Sequence, residues 1–245
     1  MRYTIVGDGK VAKHFCQYFS LIGVDYNTWS RKQSISSLQS KVLSTDVVLL
    51  LISDSAIKKF VEINSFLLNK QLVHFSGTLS LANVHGCHPL MTFSEQLYDL
   101  NVYESIPFIC DDKVDFEKLF PQLIKNRWFH INHNDKAFYH AMCVMAGNFT
   151  QTLMRETSIE LSNHINLPSD ILFPYLMQNT KNFIINPQNS ATGPLQRGDF
   201  TTVKKHLQEL RFHTLGQVYQ SFVRLSSIES SHQKHIKNTQ LEVAK

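Results

Sequence analysis

The chain has 245 residues, 43% hydrophobic and 18% charged, enough to bury a substantial core in one large or two smaller domains. Its net charge of +4 comes from dispersed basic residues, with no dense basic stretch interleaved with aromatics, so nucleic acid is not an expected partner. Four scattered cysteines without a C-x-x-C pair, a longest apolar run of only Val47 to Ile52, and Met1-Arg2 leading straight into a strand pattern predict a cytoplasmic protein. It would have free thiols, no signal peptide and no membrane span.

The first element, Tyr3-Thr4-Ile5-Val6, reads as a buried strand and runs into Gly7-Asp8-Gly9-Lys10-Val11-Ala12. This is the G-x-G-x-x-A form of the dinucleotide-binding fingerprint, followed by a helix with Val11, Phe15, Phe19 and Ile22 at apolar spacing. Gly7 allows a sharp turn off the strand, and Gly9 leaves no Cβ in the way of a pyrophosphate. The backbone N–H groups of Lys10 and Val11, at the positive end of the helix dipole, would hold the phosphates.

Val24 to Trp29 reads as the second strand and ends in Ser30-Arg31-Lys32. A site for NAD usually carries an acidic residue there, to accept from the ribose 2′-OH. None is present. A hydroxyl followed by two cations suits a 2′-phosphate, so the expected cofactor is NADPH, bound through Ser30, Arg31 and Lys32. The alternative is a solvated loop pair.

Val47 to Ile52 reads as a strand covered on both faces, and Ser53-Asp54-Ser55 caps a helix from about Ala56 to Leu68. Ser53 and Asp54 thus fall at a strand end facing the cofactor. Gln71 to Phe75 is the next strand, ending at Ser76-Gly77. Ile106 to Cys110 and Trp128 to Ile131 are further strands, with a helix from Phe116 to Lys125 between them. The alternation predicts an α/β fold: an N-terminal doubly wound parallel-sheet Rossmann domain over 1–132. Helical periodicity then dominates, giving an all-helical C-terminal domain over 133–228 and a polar tail over 229–245, expected to be disordered. Its helices are expected at Asp135 to Asn163 as one long element, Pro168 to Ile185, Thr201 to Leu210 and Thr214 to Ile228.

Three groups of residues are candidates for chemistry. Ser76, with His88 in the constrained loop Gly86-Cys87-His88-Pro89, falls at strand ends where a nicotinamide should lie; the alternative is a structural loop. His85, Cys87 and His88 are too crowded for zinc spacing, so no metal is expected. Lys136, His140 and Asn148 share a face of the long helix and need a partner or a cleft between the domains, unless they hydrogen-bond across a helix or dimer contact. Arg197 and Asp199 flank Gly198 in a Gly/Pro-shaped loop. Arg197 suits a substrate carboxylate or an interface, and Asp199 suits substrate binding or a plain helix N-cap.

These groups, in this order, resemble the family of Rossmann-like proteins with a DUF2520 C-terminal domain. The resemblance rests on Gly7-Asp8-Gly9, Phe75-Ser76-Gly77, His88-Pro89-Leu90-Met91-Thr92-Phe93, Tyr139-His140-Ala141 with Asn148, and Thr192-Gly193-Pro194 with Arg197-Gly198-Asp199. It covers nearly the whole chain. It implies a relative of the 6-phosphogluconate dehydrogenase-like reductases with a helical domain that often dimerises, hence a homodimer. It further implies a likeness to the alternative ketopantoate reductases of the pantothenate pathway. On that reading the chain reduces a small 2-keto acid, 2-dehydropantoate, with His140 or Lys136 as proton donor, Asn148 and Ser76 orienting substrate and Arg197 holding its carboxylate. Another keto-acid or imine reductase, or a non-catalytic NADP(H)-binding sensor, are the alternatives.

Overall fold

A computed structural model of the chain describes residues 1–227. The expected tail from residue 229, and the last residue of the expected final helix, lie outside the described residues. Contacts divide the chain into two compact units, the first Met1–Glu156 and the second from Thr157 onward.

The first unit is built on seven strands: β1 (Tyr3–Val6), β2 (Tyr26–Trp29), β3 (Val47–Leu50), β4 (Gln71–His74), β5 (His85–Pro89), β6 (Phe108–Asp111) and β7 (Trp128–Ile131). They lie in the order β2-β1-β3-β4-β5-β6-β7. All neighbours are parallel except β5 and β6, so the last two strands run against the first five. The doubly wound, mostly parallel sheet follows from the strand sequences. Ile5 and Leu49 enter one core cluster while Val6 and Leu50 enter the other, as a period of two requires when helices cover both faces. Helix α1 (Lys10–Leu21) covers one face with Phe15 and Phe19; α2 (Ile35–Leu43) and α3 (Asp54–Ile63) cover the other with Leu38, Val42, Ile57 and Val61.

Several boundaries differ from the sequence reading for local reasons. The apolar spacing of Ile35, Leu38 and Val42 made α2 readable, and Ser34 caps it by accepting from Ser37 N at 3.2 Å. The helix expected over Phe116 to Lys125 stops at α5 (Phe116–Leu119). Pro121 disfavours helical backbone at the preceding residue, and Phe120 sits at φ −134°, ψ 58°. A short helix α4 (Leu100–Ser105) precedes β6. The expected long helix from Asp135 is instead α6 (Lys136–Val144), a π turn (Met145–Phe149) and α7 (Thr150–Ile165). The wider π turn changes the angular offset of everything after it, so Asn148 does not hold the face expected from continuous α-helical spacing.

Strand β5 was read as a loop because Gly86 and Pro89 are poor strand residues. A Cβ on Gly86 would lie 2.6 Å from an Asp111 carboxylate oxygen and 2.8 Å from Lys136 Nζ, so the glycine makes room for that pair. Asp111, on β6, accepts from Gly86 N at 2.9 Å and from Lys136 Nζ at 2.7 Å. Lys136 Nζ also donates to the Leu79 carbonyl, and its residue is only 4% exposed. One ammonium therefore brackets β5, β6 and the start of α6.

The second unit contains the end of α7, then α8 (Phe173–Ile185), α9 (Phe200–Glu209) and a helix α10 over 214–227. Glu160 on α7 lies 3.0 Å from His213 Nε2 just ahead of α10. No helix among the described residues is long and apolar enough to cross a membrane.

Removing one partner of a buried ion pair leaves the other charge uncompensated, which typically costs about 3 kcal/mol or more. Lys136→Ala is expected to lose stability on that scale in equilibrium urea unfolding. A variant as stable as the parent would show that the bracket does not hold the sheet together.

Candidate active site

The turn between β1 and α1 is fixed by steric demand at one glycine and not at the other. Gly7 has φ +132°, and a Cβ there would lie 2.1 Å from the Leu51 carbonyl oxygen. Its N–H donates to Trp29 O at 2.8 Å, tying the turn to β2. Gly9 is different: it has ordinary extended backbone (φ −75°, ψ −178°), and an added Cβ meets nothing within 4 Å. The protein's own packing thus needs no glycine at position 9; an occupant of the space beside it would. Gly9 is the N-cap of α1 and no side chain caps that end, leaving the first-turn N–H groups available to an anion.

That space is a cleft of about 680 Å³, inside the range of ligand sites (~300–1,000 Å³). Gly7, Gly9, Lys10, Val11, Ser30, Arg31, Ser53, Asp54, Ser76 and His88 all line it, so ten of the expected cofactor and substrate residues come together. Phe75, Pro89, Met91 and Phe93 add an apolar wall. Lys32 does not line the cleft; its Nζ pairs with Asp8 Oδ2 at 2.8 Å, and this contact holds the Asp8 carboxyl below its usual range. Both side chains are exposed, so the pair is weak and exchangeable. The uncapped first-turn amides of α1, with Ser30 and Arg31 and no carboxylate at the end of β2, are donors that fit a phosphorylated dinucleotide.

Toward the other end of the sheet the register of β5 carries the chemistry. His74, the last residue of β4, pairs with Gly86, so Cys87, His88 and Pro89 run on beyond β4. There Cys87, His88 and Pro89 are held by antiparallel pairing to β6. His88 Nδ1 lies 2.8 Å from the Tyr139 hydroxyl of α6. Burial, reinforced by His140 and Lys136, pushes the His88 imidazole down to about 4. The His140 ring packs against Gly77, where a Cβ would lie 2.3 Å from its Cδ2, and its centroid is 5.8 Å from that of His88.

Other expected residues have different settings. The Ser76 hydroxyl donates to Asp54 and accepts from Leu79 N at 3.0 Å and Thr78 N at 3.3 Å, and the residue is 5% exposed. With its hydrogen committed to Asp54, Ser76 orients the Asp54 carboxylate and the Gly77 turn and has no hydrogen left for a substrate. Lys136, expected as a proton donor, is instead bonded to Asp111 and Leu79 and does not line the cleft. Asn148 is exposed and does not line the cleft either. Arg197 and Asp199 belong to the second unit. Asp199 is the N-cap of α9, accepting from Thr202 N at 3.1 Å and Thr202 Oγ1 at 2.7 Å, the ordinary use of Asp before a helix. Two residues here escaped the sequence reading as site residues. Tyr139 was visible only as the neighbour of His140, and Asp111 only as a charge ending a strand.

Residues 111–225 match the family model described as Domain of unknown function (DUF2520). The matched segment starts at Asp111 and so includes both halves of the Asp111–Lys136 bracket. Among solved structures, the chain is similar to a Bacteroides fragilis protein (BF3122) described provisionally as an NADP oxidoreductase, at 20% identity and TM-score 0.70, covering 92% of this chain and 97% of that one. Protein TM1727 from Thermotoga maritima matches at 21% identity and TM-score 0.68, over 95% and 99% of the two chains. Plasmodium falciparum pyrroline carboxylate reductase with NADP bound matches at 12% identity and TM-score 0.60, over 94% and 98%. At these identities the likeness establishes a Rossmann-like fold with a helical C-terminal region. No curated protein matches the sequence.

The contrast between the two glycines is testable. Gly7→Ala combines backbone strain with a backbone clash and should cost more than about 2 kcal/mol. Gly9→Ala, at an N-cap, should cost no more than about 1 kcal/mol in equilibrium urea unfolding. A Gly9→Ala protein as destabilised as Gly7→Ala would show that the protein's own packing needs a glycine there.

His74 offers a second test. It is fully buried; its Nδ1 accepts from Ser76 N at 3.3 Å, and its Nε2 has no partner among the described residues. Burial, then Lys136, pushes it down to about 4 from 6.5. The unfolded chain therefore binds the extra proton more readily between those values, and stability should fall as pH drops from 6.5 toward 4. His74→Asn, which keeps the acceptor, should flatten that slope in urea midpoints measured across the window. An unaltered slope would assign the acid sensitivity elsewhere.

Proposed function

We propose that this chain is an NADPH-dependent reductase of a small 2-keto acid, with 2-dehydropantoate as substrate. The observation that carries the reading is the open space at Gly9. A glycine whose missing side chain faces only the cleft, at an uncapped helix start, is what a bound pyrophosphate requires and what the apo packing does not. Gly7, Gly9, Lys10 and Val11 would hold the pyrophosphate. Ser30 and Arg31 would take the 2′-phosphate, with Lys32 exchanging from Asp8 to join them. Ser53 and Asp54 would line the path toward the nicotinamide.

The bound coenzyme supplies a hydride. The protein's part is to hold the keto acid and to give the carbonyl oxygen its proton. His140 would deliver a proton to the carbonyl oxygen of the bound keto acid, so that the product is the 2-hydroxy acid. Lys136 is assigned to the structural bracket because its ammonium already has two acceptors. Reduction of a C=N bond is the second reading, favoured by the fold shared with pyrroline carboxylate reductase.

A homodimer through the helical unit belongs to the same proposal. On α8 the consecutive Phe183, Ile184 and Ile185 are 58%, 72% and 71% exposed, so apolar side chains face outward around more than one side of the helix.

The test is a fluorescence titration with NADPH and NADH, then NADPH oxidation with 2-dehydropantoate and with a cyclic imine, at protein concentrations where sedimentation reports the dimer. NADPH should saturate and NADH bind more weakly. His140→Ala should lower kcat by ~10²-fold or more, the usual contribution of a positioned acid. Absence of saturable NADPH binding would refute the proposal; turnover of the imine alone would replace the substrate.

A further inference from the structure

Two imidazoles face one another beside the cleft, and they are held very differently. His140 packs its ring on Gly77, and neither of its nitrogens has a hydrogen bond among the described residues. His88 is anchored. Its Nδ1 lies 2.8 Å from the hydroxyl of Tyr139, with the two rings nearly perpendicular at 79°. The Cys143 thiol, one turn further along α6, interacts with the same hydroxyl.

A phenol hydroxyl is a good donor and a neutral imidazole nitrogen a strong acceptor, so the favoured order is Tyr139 O–H to His88 Nδ1. An imidazole whose Nδ1 accepts and which carries one hydrogen carries it on Nε2. That Nε2 makes no hydrogen bond within the protein. The single buried side-chain N or O without a partner among the described residues is His74 Nε2, so His88 Nε2 remains open to contact from outside. His88 lines the cleft.

We propose that Tyr139 is a positioning residue that locks His88 as an Nε2–H donor for the substrate's reacting carbonyl oxygen. The proposal rests on the reductase reading above and divides its labour between the two histidines. His88 stays neutral, because burial and the neighbouring His140 and Lys136 disfavour its cation despite the opposing Asp54. A neutral imidazole held this way stabilises developing negative charge by donating a hydrogen bond, while the proton itself comes from His140. An apolar surround of Phe75, Pro89, Met91 and Phe93 makes such a donor count for more than it would in water.

The experiment uses the full chain labelled with ¹⁵N-histidine, as wild type, Tyr139→Phe and Cys143→Ala, with His88→Gln to assign the signal. Wild type and Cys143→Ala should both show His88 as the Nε2–H tautomer. Tyr139→Phe should show a tautomer mixture, unchanged NADPH affinity, and kcat on 2-dehydropantoate reduced about tenfold, less than the ~10²–10³ lost when an oxyanion donor itself is removed. An Nδ1–H tautomer in wild type would overturn the proposal even if Tyr139→Phe fails to fold. So would a Tyr139→Phe protein with the wild-type spectrum or the wild-type kcat. Failure to bind NADPH, or to turn over 2-dehydropantoate, would instead strike the reductase reading; the tautomer measurement would then alone decide this one.

Discussion

The candidate site depends on one buried cation. Lys136 is the first residue of α6, and its ammonium reaches back to Asp111 on β6 and to the carbonyl of Leu79. Asp111 in turn accepts from the backbone of β5 at Gly86. Three elements far apart in sequence meet at this point, and the direction of α6 is set by it. Three and four residues further along the same helix, Tyr139 reaches His88 and His140 lies on Gly77. A charge this deeply buried is tolerated because two acceptors surround it. It holds its neighbours in place because any displacement would leave a charge unpaired in a dry environment.

Around that anchor, the cleft combines two kinds of local constraint. At one end the backbone is shaped by steric exclusion: Gly7 cannot carry a Cβ against Leu51, and the turn that results points the start of α1 into open space. At the other end side chains are shaped by saturation. The Ser76 hydroxyl is engaged by Asp54, Thr78 and Leu79, so it organises the turn under His140. The reversal of β6 relative to β5 matters for both, since antiparallel pairing supports the part of β5 that extends past β4 and carries His88.

The second unit presents a different physical picture. Its helices have the apolar spacing that marked them in the sequence, yet α8 leaves Phe173, Tyr175, Met177 and Phe183 exposed. Surfaces of that kind are costly in water unless covered. In the sheet-bearing unit the apolar side chains of the sheet close into two clusters on its two faces, while α6 and the π turn also leave Phe138, Met145 and Phe149 exposed.

Short-range chemistry was legible in the amino-acid order alone. The strand-Gly7-x-Gly9-helix turn, the alternation of strands and helices, the missing carboxylate after Trp29 and the Asp199 cap each depend on residues within a few positions of one another, where backbone sterics and local hydrogen bonds decide the outcome. Pro121 is equally readable as a helix stop, because proline disfavours helical backbone at the residue before it. What the order of residues left undecided was every relation that closes over long separations. The pairing of Lys136 with Asp111, of Tyr139 with His88, and the use of Gly77 and Gly86 as space for partners 63 and 25 residues away arise only when the sheet is assembled. A lysine and a histidine on one helix look alike as proton donors in sequence. Burial and the acceptors that surround each side chain, which exist only in the folded chain, are what separate the Lys136 cation from the His140 ring, which has no hydrogen bond among the described residues.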